Sequence, residues 1–267
     1  MFKIIYRAIV DFLLLRERLD TIINWPKVKE THPNPLVRKG QKFFSQFDED
    51  GIISEICRRL KLEKGNFFEI GVGDGSECNT VNLLFKGWRG AWAGNEKLFF
   101  NSKEQNLKYL NTFVTMDNIS EVLGNVQTFL GEGKSIDLFS LDIDGVDYWI
   151  GKEILSTIKP KIVIVEYNSH FEPPIEYITD YKADLVWDRT NRYGASLQAW
   201  VNLFEPMGYK LVCCNYTGSN AFFIQNSEME AFRDVPTDIN ELFMPPNFKI
   251  GYSTGHKLSA EVCEKYS

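Results

Sequence analysis

The sequence predicts an α/β protein: a doubly wound, mostly parallel seven-stranded sheet with helices on both faces and a terminal antiparallel hairpin. Three observations predict it. Short apolar runs alternate with helix-period segments from about Asn66 to Gly208. The first of those runs ends in a glycine turn, "EIGVGDG", where an open parallel sheet binds its ligands. Near the end, "YKLVCCNYTGSNAFFIQ" reads as two strands joined by the turn "NYTGSN".

The elements follow in order. "MFKIIYRAIVDFLLLRERLDTIINW" carries Ile5, Ile9, Phe12 and Leu13 on a helical stripe, interrupted by Lys3, Arg7, Asp11 and Arg16. It has neither a clean bilayer-spanning run nor a small-residue cleavage site. A helix packed on the domain or on a second subunit is expected there, with membrane-surface attachment as the alternative. "WPKVKETHPNPLVRKG" is proline-rich and polar, an irregular arm. Residues 1–40 are therefore read as helix plus arm, and 41–267 as one domain. A helix runs to about Leu60, capped by Ser45 or Asp48, with Ile52, Ile53 and Ile56 inward. The strands expected next are "NFFEIGVG", "RGAWAGNE", "TFVTMDNI", "IDLFSLDIDG" and "KIVIVEYN". Between and after them come helices "SECNTVNLLFKG", "NSKEQNLKYLN", "VLGNVQTFLGEG", "YWIGKEILSTI" and "GASLQAWVNLFEPMG".

Composition excludes several classes. Of 267 residues 44% are apolar, enough for a proper core. A formal net charge of −6 with no basic cluster argues against a nucleic acid partner. Five cysteines, an odd number with no CxxC pair, indicate neither a disulfide framework nor a thiolate zinc site. A cytoplasmic protein with reduced thiols is expected.

The glycine turn points to a cofactor. Glu69 precedes Gly71, Gly73 and Gly75, whereas a dinucleotide site usually has GxGxxG and receives a pyrophosphate. Glu69 and Asp74 would repel that anion and attract an ammonium or a sulfonium. S-adenosylmethionine carries both, so it is preferred over NAD. Glu96 ends the second strand and is positioned to accept the ribose hydroxyls; its plain alternative is a solvated loop residue. Asp117 and Asn118 follow the third strand as partners for the adenine amine, or as a helix cap.

A second cluster lies at the ends of the fourth and fifth strands. Strand alternation puts Asp142 with Asp144, and Glu166 with Asn168. Carboxylates crowded there repel unless neutralised, and with an amide oxygen they form a set that Mg²⁺ or Mn²⁺ prefers. The metal-free alternative has Asp142 on the methionine ammonium and Asp144 or His170 as general base. Arg192, Tyr193 and Ser196, after the fifth strand, are candidates for binding the acceptor, with a polar helix start as the plain alternative.

"SQFDEDGIISEI", "FFEIGVGDGSECNT", "SLDIDGVDYWI", "KIVIVEYN" and "YGASLQAWVNLFEPMGYKLV…TGSNAFFI" occur in that order. Together they resemble the FkbM-type S-adenosylmethionine-dependent methyltransferases of bacteria, over about Phe43 to Ile224. The resemblance implies a class I methyltransferase (Rossmann-like) fold and O-methylation, often of a sugar hydroxyl on a surface glycan or its precursor. It implies that Glu69, Gly71 and Gly73 line the methionine end of the cofactor, that Glu96 takes the ribose, and that Asp142 closes the site. It adds that the block containing Gln46 folds over cofactor or substrate. By similarity to metal-dependent O-methyltransferases, Asp142 or Asp144, Glu166 and Asn168 would hold the metal. One departure stands out: relatives tend to carry "EG" where this chain has "AGNE".

The expected activity is therefore methyl transfer from S-adenosylmethionine to a glycan hydroxyl, with Mg²⁺ or Mn²⁺ assisting. The small-molecule or glycan acceptor is the expected partner, together with a peripheral membrane or homo-oligomer contact through the N-terminal helix at the inner membrane face. The alternatives are a metal-independent enzyme acting on a natural-product hydroxyl, an NAD oxidoreductase, and a non-catalytic glycan-binding protein.

Overall fold

The computed structural model describes residues 27–185, 187–248 and 258–267. The expected N-terminal helix lies outside the described residues. Seven strands form one sheet: β1 (Asn66–Ile70), β2 (Arg89–Gly94), β3 (Leu107–Asn111), β4 (Leu138–Leu141), β5 (Ile162–Glu166), β6 (Tyr209–Cys214) and β7 (Asn220–Gln225). Their order is β3-β2-β1-β4-β5-β7-β6. Strands β1 to β5 pair in parallel, and β7 runs antiparallel to both of its neighbours. This is a mostly parallel, Rossmann-like sheet of the class I methyltransferase type. The late hairpin is present, but β7 inserts between β5 and β6, so β7 alone opposes the rest.

The helices are α1 (Glu49–Arg59), α2 (Val81–Phe85), α3 (Ile119–Leu130), α4 (Asp147–Thr157), α5 (Leu197–Phe204), α6 (Ile239–Leu242) and α7 (Ala260–Tyr266). The strand cores are continuous apolar runs because helices cover both faces. Phe67, Phe68, Phe139 and Ile162 to Val165 have no exposure. The chain builds outward from β1 through β2 to β3, then returns to place β4 on the other side of β1. That reversal opens a crevice beyond the ends of β1 and β4.

The third βα unit differs from the sequence reading. The stretch expected as helix supplies β3, and "TFVTMDNI" is a loop that leads into α3. In β3 Leu107 and Tyr109 pair with Gly90 and Trp92, so the apolar spacing there is two residues. The expected strand is broken by a turn in which Asn118 Oδ1 accepts the Thr115 N–H at 2.8 Å.

The segment before β1 is tied down by buried acids. Asp50 Oδ2 accepts the N–H groups of Phe43, Phe44 and Ser45 at 2.8, 2.6 and 2.8 Å. Glu49 Oε1 accepts Asn215 and Asn220 amides at 2.8 and 3.1 Å. The arm also docks: Leu36 and Val37 are buried, and Asn34 Nδ2 donates to the Val212 carbonyl at 2.8 Å. Among the described residues, no helix is long and apolar enough to cross a membrane.

Asp48 is less well served. It is fully buried, its Oδ1 has no hydrogen-bond partner, and burial, followed by the nearby Glu49 charge, pushes its carboxyl up to about 7. The folded chain keeps a proton that the unfolded chain releases near pH 4. Stability from this group therefore falls as pH rises from about 4 to about 7 and is level above that. Asp48→Asn should raise the Tm by about 2–4 °C near pH 8 and by less near pH 5, measured by thermal denaturation.

Candidate active site

The glycine turn after β1 is organised by Glu69. This side chain is only 5% exposed, and its carboxylate accepts the N–H of Asn79 at 2.8 Å and of Thr80 at 3.0 Å. The Thr80 hydroxyl donates to the same carboxylate while accepting the Trp92 indole N–H at 2.7 Å. Burial pushes the Glu69 carboxyl up to about 7, and these donors pull the other way. The N–H groups at the start of α2, where a dinucleotide would lay its pyrophosphate, are thus already taken by a carboxylate.

The glycines divide by role. Gly71 has φ +91°, and a Cβ there would lie 1.5 Å from the Asp142 carbonyl oxygen. What excludes its side chain is the neighbouring strand end. Gly73 has φ +52° and open space around it. Only Gly73 of these two leaves room for a ligand against the backbone.

Beyond the turn lies a cavity of about 790 Å³ at the β1/β4 crossover. Gln46, Glu69, Gly71, Gly73, Asp142, Asp144, Glu166, His170 and Tyr193, all singled out in the sequence, line it. Lys42 bridges the Gln46 carbonyl at 2.9 Å and Glu77 at 3.1 Å, closing the pre-β1 segment onto the glycine turn.

Carboxylate oxygens of Asp142, Asp144 and Glu166 lie within 4.8 Å of one another. Burial raises all three carboxyls; for Asp142 and Glu166 the surrounding carboxylates raise them further. Asp147, at the start of α4, shapes the turn that presents them. Its carboxylate accepts the N–H groups of Ile143 and Gly145, both at 2.8 Å. Asp144 is held there at φ +55°, the left-handed region.

Two residues of the cavity wall also carry unmet acceptors. Glu166 Oε2 is buried without a hydrogen-bond partner, and so is Asn220 Oδ1. Glu166 and Asn220 are register partners across β5 and β7, so their side chains share a face. Asn220 is 3% exposed, and its Nδ2 is held by Glu49 at 3.1 Å. Three carboxylates and an orphaned amide oxygen are the donor set of a hard divalent cation, and the residues fit one.

Other expected residues have different work. Asn168 does not line the cavity; its Nδ2 donates to the carbonyls of Asn191 and Tyr193 at 2.8 and 3.0 Å, and its Oδ1 faces His170 Nδ1 at 3.3 Å. It holds a loop and a histidine, and the amide that does line the cavity, in register with Glu166, is Asn220. Ser196 is fully buried and caps α5 by accepting the Ala199 N–H at 3.2 Å. Arg192 is paired with Asp188 at 2.9 Å outside the cavity. Asn118 braces its own turn, donating to the Phe113 carbonyl at 2.9 Å. Glu96 and Asp117 are exposed beyond β2 and β3 and are not cavity-lining.

Sequence reasoning missed Asn220 and the cavity-lining Trp187 and Arg189, and it grouped Asp147 with Asp142 and Asp144 without giving it a role. The one available signal was Asn220 itself, an amide at the head of the otherwise apolar strand "NAFFI".

No family model matches the chain, and no curated protein matches it. Solved structures that resemble it include the MycE methyltransferase of the mycinamycin biosynthetic pathway in complex with Mg, SAH and mycinamycin VI. That likeness is 12% identical, with TM-score 0.41, over 70% of this chain and 51% of the other. An O-methyltransferase family protein from Burkholderia thailandensis is 9% identical, with TM-score 0.35, over 79% and 70%. CalO1, a methyltransferase in calicheamicin biosynthesis in its SAH-bound form, is 15% identical, with TM-score 0.36, over 82% and 58%. The chain spans little more than half the length of the first and third. The class of the fold rests on the strand order.

Two alanine substitutions should separate the glycines. Gly71→Ala forces backbone against backbone and should cost more than about 3 kcal/mol in urea denaturation. Gly73→Ala meets only open space and should cost about 1 kcal/mol, from its backbone conformation alone.

Proposed function

We propose that this chain is an S-adenosylmethionine-dependent O-methyltransferase of the FkbM type, acting on a sugar hydroxyl of a bacterial glycan or its precursor with a divalent cation assisting. One observation carries the reading: a single cavity joins an open glycine backbone, Gly73, to the converging acids Asp142, Asp144 and Glu166.

The reaction forms an O–CH₃ bond as the CH₃–S⁺ bond breaks; a thioether leaves, and the acceptor's hydroxyl proton goes to a base. Its main demand is alignment of donor and acceptor, which is worth roughly 7–11 kcal/mol. The acids facing Gly73 favour a cationic donor. The Glu69 carboxylate at the start of α2 disfavours the pyrophosphate that the NAD reading needs. Gln46 and Tyr193 in the cavity, and the exposed Glu96 and Asp117, remain candidates for cofactor and acceptor contacts.

Asp142, Asp144, Glu166 and Asn220 would hold Mg²⁺ or Mn²⁺. When bound, such an ion supplies a lowered hydroxyl pKa and a fixed orientation. Asp144, the most exposed of the three acids, accepts the proton. A second reading dispenses with the metal and uses His170. It is favoured by the contact of His170 Nδ1 with Asn168 Oδ1 at 3.3 Å, which leaves Nε2 as the basic nitrogen when Nδ1 carries the proton. All five cysteines are unpaired and buried, in keeping with a cytoplasmic location.

Calorimetry with S-adenosylhomocysteine is the first test; no binding ends the methyltransferase reading. Mn²⁺ binding followed by its paramagnetic resonance signal tests the metal. Glu166→Gln and Asn220→Ala should each weaken Mn²⁺ about tenfold or more. Unchanged Mn²⁺ affinity, or methyl transfer that survives exhaustive EDTA, leaves the His170 reading.

A further inference from the structure

Arg189 is the one lysine or arginine among the described residues lining the cavity, whose lining also includes six acidic residues: Glu69, Asp74, Glu77, Asp142, Asp144 and Glu166. Among the described residues it makes no ion pair and no side-chain hydrogen bond, whereas Arg192, in the same loop, is paired with Asp188.

The loop 187–192 is braced without Arg189. Asp188 Oδ2 accepts Nε and Nη2 of Arg192 at 3.2 and 2.9 Å, and its Oδ1 accepts the Thr190 N–H at 3.0 Å. The Thr190 carbonyl accepts the Trp187 indole N–H at 2.7 Å. Within this brace Arg189 is held at φ +64°, a backbone region costly for any residue with a side chain. Trp187 is 42% exposed, and its ring meets Tyr193 edge-on with centroids 6.0 Å apart. Trp187, Arg189 and Tyr193 all line the cavity.

We propose that Trp187, Tyr193 and Arg189 form the acceptor subsite and that the acceptor is an anionic sugar. The sugar ring lies against the aromatic pair, and a phosphate or carboxylate on it takes the guanidinium. This rests on the methyl-transfer reading and narrows its substrate class. Three arguments support it. The loop follows β5, on the far side of the β1/β4 crossover from the glycine turn, so it belongs to the half of the cavity left to the acceptor. A guanidinium with all its donors uncommitted is a bidentate receptor for phosphate or carboxylate. An anion entering past six carboxylates needs a fixed positive charge at the point of docking, and a neutral sugar does not.

The test is calorimetry on the full chain, preloaded with S-adenosylhomocysteine and Mn²⁺. The probes are hexose 1-phosphates and hexuronic acids, each beside its neutral methyl glycoside. The tightest anionic probe should bind roughly tenfold or more tighter than its neutral counterpart. The phosphate and carboxylate arms identify which anion is preferred. Arg189→Gln should erase that preference while leaving S-adenosylhomocysteine affinity and Tm unchanged, and Trp187→Ala should weaken both members of a pair. Equal binding of charged and neutral probes by the wild type overturns the subsite. So does a preference that survives Arg189→Gln, or an Arg189→Gln chain that loses S-adenosylhomocysteine as severely as sugar, since Arg189 would then serve the cofactor. Wild-type failure to bind S-adenosylhomocysteine removes the methyl-transfer reading itself, a result distinct from any of these.

Discussion

The buried carboxylate of Glu69 sets the character of the site. It occupies the donors at the start of α2, the Asn79 and Thr80 N–H groups, which in a nucleotide-binding sheet are offered to phosphate. Once they are spent internally, the turn above them presents glycine backbone and acids, not a receptor for anions. The same carboxylate fixes Thr80, and through it Trp92 in the middle of β2, so the polarity of the turn is bound into the core of the sheet.

The second constraint is the contact of Gly71 with the Asp142 carbonyl. It lets the ends of β1 and β4 converge at the point where the strand order reverses. The glycine turn and the acid cluster then open into one cavity instead of two surface depressions. Asp147 adds to this by drawing Ile143 and Gly145 onto its carboxylate, which turns Asp142 and Asp144 toward Glu166. Carboxylates held this close, with burial raising each one, store an electrostatic cost that a cation or protons offset. The orphaned oxygens of Glu166 and Asn220 are a local sign of that cost.

The cavity that holds the acid cluster is also lined by a loop after β5 that carries its own internal brace and one guanidinium without an ion pair among the described residues. Of the four left-handed, side-chain-bearing residues among those described, Lys61, Glu104, Asp144 and Arg189, the last two line the cavity.

The sequence by itself determined the parallel sheet, because its strands are apolar runs buried on both faces, and it determined the glycine turn and the acids at the ends of β4 and β5. Those features are local: each is written in a handful of consecutive residues. Local reading failed at β3, where "KYLN" carries too few residues to separate a strand from a helix end, and where pairing with β2 decides. It also failed at the amide. Asn168 and Asn220 look equally suitable in sequence, but Asn168 is consumed by the 191–193 loop, while β7 inserts beside β5 and delivers Asn220 opposite Glu166. Only the tertiary structure could choose between them, since that pairing joins residues more than fifty positions apart. Likewise, the division between Arg192 and Arg189 was fixed by which one Asp188 could reach.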